Sequence, residues 1–408
     1  MMPSILSSLA VALSLTATVQ SLPGPQGGGG GWGGDSGSWG GASTTSTEES
    51  WAATTSANNA YYTSLASSAT SSASASTSTS TVACNNSPDL CSRKYSNVTH
   101  MGAHDAAFLR NAETSNSVAG NQYYNATKAL NSGIRLLSAQ VHNLNGTLEL
   151  CHSTCSLLDA GTLESWLSKI KDWMDENPNE VVTLLLVNSD DEDVSTIGEA
   201  FVSSNISTYG YAPATASASN DWPTLQTMID ANTRLVTFVA AIEASDTYPY
   251  LLDEWTYVFE TAYDVTALAG FNCSLNRPTT LSSASTAISS GYLPLMNHFV
   301  YQTLTSTIEV PSVSIIDTTN SPGKSTTGML GQSAYSCLSE WATAPVFVLV
   351  DFYDQGPAIE TADNLNGITA VGRSNSTAAT SAASSAGGTE GVKAGALVAF
   401  VAAAVLFY

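Results

Sequence analysis

Residues 162–187 read TLESWLSKIKDWMDENPNEVVTLLLV, and this stretch decides the architecture. Leu163, Trp166, Leu167, Ile170, Trp173 and Met174 recur at steps of three and four, which puts them on one face of a helix. Asn177-Pro178 stops it, because the residue before a proline is driven out of the helical region. Val181–Val187 follows as a short, nearly all-apolar run, the pattern of a strand covered on both faces. A helix feeding a doubly covered strand is part of a βαβ arrangement. The stripe makes Trp166 and Trp173 core residues. Asp159 and Gly161 shape the approach to the helix that begins at Thr162.

Similar runs lie on either side. Asn97–Met101, Gly133–His142 and Thr147–His152 precede it; Arg234–Ala241, Tyr257–Thr261, Tyr292–Val300 and Val346–Phe352 follow. These strands, separated by helix-length segments, predict an α/β fold with a parallel sheet covered by helices. A closed eight-stranded TIM-type barrel is the first choice and an open doubly wound sheet the second. No glycine fingerprint for a dinucleotide or phosphate follows the first strand. Hydrophobic order spans residues 84–370, a length suited to one barrel domain.

The flanks read differently. Ile5–Ala17 is apolar but too short to span a bilayer, with small residues at Val19 and Ser21, so residues 1–21 are expected to be a secretory signal. Residues 22–83 are rich in Gly, Ser, Thr and Ala and cannot bury enough apolar surface to offset their ordering entropy; a flexible stalk is expected. Residues 371–385 repeat that composition as a linker. Small residues at 384–388, a polar spacer to Lys393 and an uncharged tail from Ala394 to Tyr408 match a glycosylphosphatidylinositol (GPI) attachment signal, with residues 386–408 removed and the outer leaflet of the plasma membrane as destination.

An exported chain with an even set of cysteines is expected to form disulfides. Proximity favours Cys84–Cys91 and Cys151–Cys155, leaving Cys273–Cys337, and no spacing resembles a zinc site. Glycan acceptor sequons stand at Asn85, Asn97, Asn125, Asn145, Asn205, Asn272 and Asn375. The formal net charge of −22 argues against nucleic acid as a partner and against electrostatic docking on anionic lipid.

In a barrel, chemistry gathers where strands end. Of the five histidines, His104, His142, His152 and His298 fall at or just past predicted strand ends. Asp105 follows His104 directly, and Asp351 ends the run Val346–Val350. A carboxylate at a buried strand end needs a partner, and an imidazole paired with it makes an acid or base tuned near neutrality. His100 and His298 read as structural, lining a pocket at most. Phe352 and Tyr353 flank Asp351 and are expected to line the mouth.

The segments THMGAHDAAF (99–108), GIRLLSAQVHN (133–143), LELCHSTCSLLDAG (148–161) with the stretch quoted first, YLPLMNHF (292–299) and PVFVLVDFY (345–353) occur in that order. Together they resemble the secreted fungal members of the phosphatidylinositol-specific phospholipase C-like phosphodiesterases, over residues 97–366. The resemblance implies a distorted TIM barrel and metal-independent phosphodiester cleavage by two histidines. It makes His104 the general base, Asp351 the carboxylate that orients it, His152 the general acid and Asp105 the acid that supports His152. The substrate it implies is a phospholipid or phosphoinositol diester.

One departure matters. The bacterial relatives carry an Asp and a phosphate-binding Arg on the second strand, where this chain has Ser138 and Gln140. Gln140 donates hydrogen bonds but cannot neutralise developing charge. Alternation puts Ser138, Gln140 and His142 on one face, so these three, with Arg135, are the substrate-binding candidates; Arg110 and Arg277 are further cations in loops. The loss of clustered carboxylates also argues against a catalytic metal, and no cofactor is expected. The acidic run Asp190–Asp193 reads as a solvated loop. The alternative function is a catalytically impaired barrel that binds lipid or glycan at the cell surface; a purely structural wall protein leaves the His/Asp set unexplained.

Overall fold

The computed structural model describes residues 82–305 and 308–374. The expected signal, stalk and GPI segments, and Asn375, lie outside them. In chain order the strands are β1 (His100–Ala103), β2 (Leu136–Leu144), β3 (Thr147–Cys151), β4 (Asp159–Thr162), β5 (Val182–Asn188), β6 (Leu235–Ala240), β7 (Leu251–Asp253), β8 (Val258–Glu260), β9 (Leu293–Asn297), β10 (Tyr301–Thr305), β11 (Ile308–Pro311) and β12 (Phe347–Val350). Eight of them pair in parallel in the order β7–β6–β5–β2–β1–β12–β9–β8. This is a distorted TIM barrel. Its two end strands, β7 and β8, are joined by the single helical turn Glu254–Tyr257, and among the described residues no ladder closes them.

Alternate residues of each strand feed two cores, as a period of two requires. On β6, Val236 and Phe238 join the inner cluster with Tyr95, Trp222 and Phe347, while Leu235 and Val239 join the outer cluster under the helices. The Leu163–Glu176 helix lays onto that outer face the six apolar residues its sequence aligns, all buried. Thr162 caps it by accepting from the Ser165 amide at 3.1 Å. Burying such side chains stabilises by about 1.5–3 kcal/mol each. Gly102 on β1 points between two leucines: a Cβ there would lie 2.8 Å from both Leu136 Cδ2 and Leu349 Cδ2.

Two expectations about strands change. The run at 147–152 does form a strand, but β3 is antiparallel to β2 and pairs on its other edge with β4. The reason is the link: Asn145 and Gly146 both have positive φ, 56° and 90°. A two-residue turn of this kind makes a hairpin, whereas a parallel neighbour needs a crossover of a dozen residues. The eighth parallel strand is instead β7, three residues without an apolar run. The first strand also starts later than expected, because Tyr95–Asn97 is a turn of 3₁₀ helix.

The disulfides are Cys84–Cys91, Cys151–Cys155 and Cys273–Cys337. Residues 371–374, read as the start of a linker, are bonded to the barrel: Val371 exchanges two hydrogen bonds with Asn86, and Arg373 pairs with Asp363. Asn85 is buried, and its amide exchanges hydrogen bonds with both backbone groups of Val181, at 2.7 and 3.1 Å, so it is not a glycan acceptor in the folded chain. Asn97, Asn125, Asn145, Asn205 and Asn272 are exposed. Among the described residues no helix is long and apolar enough to cross a membrane.

Candidate active site

Three turns leave the strand ends and converge. His104 and Asp105 follow β1, His152 follows β3, and Asp351 follows β12. Each turn is strained at a residue that carries a side chain: φ is 48° at Asp105, 58° at Ser153 and 44° at Phe352. Such conformations cost about 1–3 kcal/mol each and persist where surrounding contacts over-determine them. Those contacts are present. Ser138 Oγ accepts from the Asp105 amide at 2.8 Å. Gln140 Oε1 accepts from the Ser153 amide at 2.8 Å. Asn320 Nδ2 donates to the carbonyls of Asp351, Phe352 and Gln355.

The side chains meet in one cluster. His104 Nδ1 donates to Asp351 Oδ1 at 2.9 Å, and Asn121 Nδ2 donates to the same oxygen at 3.0 Å. The other nitrogen of His104, Nε2, lies 3.7 Å from Asp105 Oδ2, and His152 Nε2 lies 3.8 Å from that oxygen. The two rings therefore face one carboxylate oxygen. At 3.8 Å Asp105 makes no hydrogen bond to His152; it acts on both rings by charge. Gln140 Nε2 donates to Asp105 Oδ2 at 2.7 Å and fixes it. Phe299 stacks flat on His104, with centroids 3.7 Å apart, and the edge of His152 meets Phe108.

The two imidazoles are biased oppositely. Burial disfavours the charged form of His104, but the carboxylates of Asp105 and Asp351, the hydrogen bond to Asp351 and the charge of Glu260 outweigh it, and the pKa rises. At His152 burial wins over Asp105, the neighbouring His104 adds to it, and the pKa falls. These opposite biases favour the imidazolium at His104 over that at His152. Among the described residues, three buried polar atoms in the cluster have no hydrogen-bond partner: His152 Nε2, Asp351 Oδ2 and Asn121 Oδ1.

The four substrate-binding candidates are otherwise engaged. Ser138 serves the Asp105 backbone, and both ends of the Gln140 amide are bonded. His142 lies beyond the barrel on the β2–β3 hairpin, paired with Asp190 at 3.2 Å. Arg135 precedes β2, at the opposite end of the barrel, where it pairs with Glu180 and donates to the carbonyls of Leu130 and Ile134. One residue before the strand is the wrong end for chemistry. Of the loop cations, Arg277 is bound to Glu260 through Nε at 3.0 Å and also through Nη2. The acidic run is structural as well as solvated: Asp190 accepts from the Asn143 amide and Asp193 caps the helix Val194–Ser203.

His100 and His298 are buried and neutral, each with a pKa pushed down to about 4 by burial. Phe352 and Tyr353 are buried rather than lining the mouth; strain at Phe352 turns the chain inward, under Tyr123. Sequence reasoning missed Asn121, Gln122, Phe299, Glu260 and Tyr301. Gln122 Nε2 bridges the carbonyls of His104 and Val350. Phe299 carried the one readable signal, since it follows a histidine at a strand end; Asn121 and Gln122 sit in a loop with no pattern.

Among the described residues no group of three or more His, Cys, Asp or Glu side chains is arranged to hold a metal ion.

Comparison with known proteins places the chain. The family model PI-PLC X 1 matches residues 90–366. An "Uncharacterized secreted protein" of Arthroderma benhamiae is 36% identical over 72% of this chain and 66% of its own length, so the chain spans just under two thirds of that relative. A "PI-PLC X domain-containing protein 1" of the same organism is 34% identical over 70% of this chain and 90% of that one. A solved phosphatidylinositol-specific phospholipase C from Listeria monocytogenes is 14% identical, covering 68% of this chain and 94% of that one, with a TM-score of 0.45. The chain belongs to the PI-PLC X domain family.

Proposed function

We propose that the protein is an extracellular phosphoric diester hydrolase that cleaves a phospholipid- or phosphoinositol-type diester by acid–base catalysis at His104 and His152, without a metal. The observation that carries this reading is the pair of imidazoles turned toward one oxygen of Asp105, each under 4 Å from it, with His152 Nε2 buried and unpartnered. One ring removes the proton from the attacking hydroxyl as the new P–O bond forms. The other gives a proton to the leaving alkoxide as the old P–O bond breaks, so the pair ends with its protons exchanged. Where the attacking hydroxyl belongs to the substrate itself, the product is a cyclic diester, and its opening by water runs with the roles reversed.

The resemblance assigns the base to His104. The charges of Asp105 and Asp351 favour protonation of His104, so that assignment requires the anionic diester to raise His152. Its phosphate would give His152 Nε2 the partner it lacks and favour the imidazolium.

A lipid substrate is supported by the rim. Five of the eight exposed large apolar side chains among the described residues, Leu144, Leu157, Val187, Tyr263 and Leu304, lie in or after strands at this end of the barrel. Apolar side chains exposed around a site suit contact with lipid. Export is supported by three disulfides, which persist in oxidising compartments, and by the relative named as secreted. The uncharged C-terminal tail supports a GPI anchor.

A second reading, a barrel that binds lipid without cleaving it, draws on Gln140 and on the engagement of Arg135 and Arg277 by carboxylates. Purified full-length chain incubated with phosphatidylinositol and other phospholipid vesicles, with and without chelator, separates the two. The expected result is a phosphorylated head group released at equal rates under both conditions. Saturable vesicle binding with no product from any lipid overturns the enzymatic reading.

A further inference from the structure

We propose that the phenol of Tyr301 donates a hydrogen bond to a non-bridging phosphate oxygen and so takes over part of the charge stabilisation that an arginine on β2 would give; this rests on the diester-cleaving reading. Tyr301 opens the β10–β11 hairpin, which rises from the end of β9 beside the site. Its amide donates to the Val265 carbonyl at 2.8 Å, which ties the base of the hairpin to the loop after β8. The ring stands edge-on to both members of the His104–Phe299 stack, with centroids 6.5 Å from His104 and 5.6 Å from Phe299, at 76° to each. It therefore borders the cluster on the side of the His104–Phe299 stack.

The hydroxyl has no hydrogen-bond partner among the described residues. That distinguishes it from the other donors near the rings, since the amides of Gln140 and Asn121 are both committed to carboxylates. Burial, together with the charges of Asp105 and Asp351, raises the phenol's pKa well above its ordinary value. It stays protonated, and it can donate but not act as a base. A fixed neutral donor costs no reorganisation as charge develops on phosphorus-bound oxygen. It also leaves the bias between the two imidazoles undisturbed, which a guanidinium beside them would not.

Tyr301→Phe removes the hydroxyl and keeps the ring. The melting temperature and circular dichroism should match the parent chain. Turnover of phosphatidylinositol vesicles should fall about 100-fold in kcat, the usual effect of deleting one such donor, with KM little changed. Unchanged kcat overturns the proposal. A titration with inorganic phosphate, read from the ring protons of His104 and His152, tests it without turnover. The expected result is about tenfold weaker binding by Tyr301→Phe, and equal affinity overturns it, as does a wild-type chain that shows no saturable phosphate binding. A wild-type chain that binds phosphate through Tyr301 yet cleaves no diester overturns the enzymatic reading and with it the charge-stabilising role, leaving only the phosphate contact.

Discussion

Gln140 Nε2 donates to Asp105 Oδ2 at 2.7 Å, and the same amide receives the Ser153 amide proton through Oε1. One side chain thus locks the carboxylate between the rings and the strained turn after His152. A guanidinium in this position could donate to the carboxylate but could not accept from Ser153. The glutamine is therefore a positioning residue with two fixed bonds. Gln140→Leu should lower kcat about 10- to 100-fold and also lower the melting temperature by several degrees, because a hydrogen bond to a charged group contributes about 1.5–3 kcal/mol to stability. Steady-state kinetics beside thermal melts check this, and full activity in the variant would remove Gln140 from the site's support.

The opposite bias of the imidazoles predicts a particular order of titration. In the free protein His104 should titrate above the ordinary histidine value and His152 below it. For stability the signs differ. His104, raised on folding, stabilises fully below its unfolded pKa and loses that contribution as pH rises through its folded value. His152, lowered on folding, does the reverse and destabilises as pH falls below its unfolded value. Ring-proton NMR against pH gives the order directly, and adding inorganic phosphate should move His152 upward. A free-state order with His152 above His104 would show that the fields of Asp105 and Asp351 do not govern the pair.

His100 and His298 should not titrate in the folded protein until near pH 4. His100 Nε2 donates to the Tyr95 carbonyl at 3.2 Å and His298 Nε2 to the carbonyls of Thr319 and Gly328; these bonds favour the charged form, but burial outweighs them and keeps each ring neutral. Acidification from the ordinary histidine value toward pH 4 should cost roughly 3 kcal/mol per ring, as the unfolded chain protonates first. Urea unfolding across that range measures the loss. A flat stability profile between pH 6.5 and 4 would contradict the burial of both rings.

Gly102 is where the barrel core meets the turn that carries His104. A methyl group at this position would lie 2.8 Å from side-chain carbons of Leu136 and Leu349, and His104 is two residues on. Gly102→Ala should destabilise by about 1–3 kcal/mol through overpacking. It should also lower activity per folded molecule by displacing β1. Denaturant melts combined with kinetics on the folded fraction check both.

The legible parts of this protein are those set by local pattern. The stripe from Leu163 to Met174 and the apolar runs of β5, β6 and β12 are readable because burial on one helix face leaves a periodic stripe and burial on both strand faces an unbroken apolar run. His104, His152 and Asp351 follow from their places at strand ends. What stayed hidden was set by geometry at a distance. β7 is three residues long and carries no run. The direction of β3 depended on two turn residues, Asn145-Gly146, whose chemistry is a hairpin signal that the apolar run masked. Asn121 and Asp351, 230 positions apart, meet only once the barrel forms, and the engagement of Arg135 with Glu180 could not be told from its place beside a strand.

The Cys151–Cys155 bridge encloses His152 and gives a final prediction. It closes a separation of only four residues, against 64 for Cys273–Cys337. On chain entropy the short bridge should contribute about 2 kcal/mol and the long one about 4. Function should rank them the other way. The short bridge confines the turn that holds His152 against Phe108 and Ser153 against Gln140, whereas the long one ties the loop after β8 to the helix Leu330–Trp341, away from the rings. Replacing Cys151 and Cys155 by serine should therefore lower kcat at least tenfold with a modest drop in melting temperature. Replacing Cys273 and Cys337 should lower the melting temperature more while kcat of the folded fraction holds. Parallel melts and kinetics on the two double variants decide it, and equal kcat losses would mean that the short bridge has no special role in positioning His152.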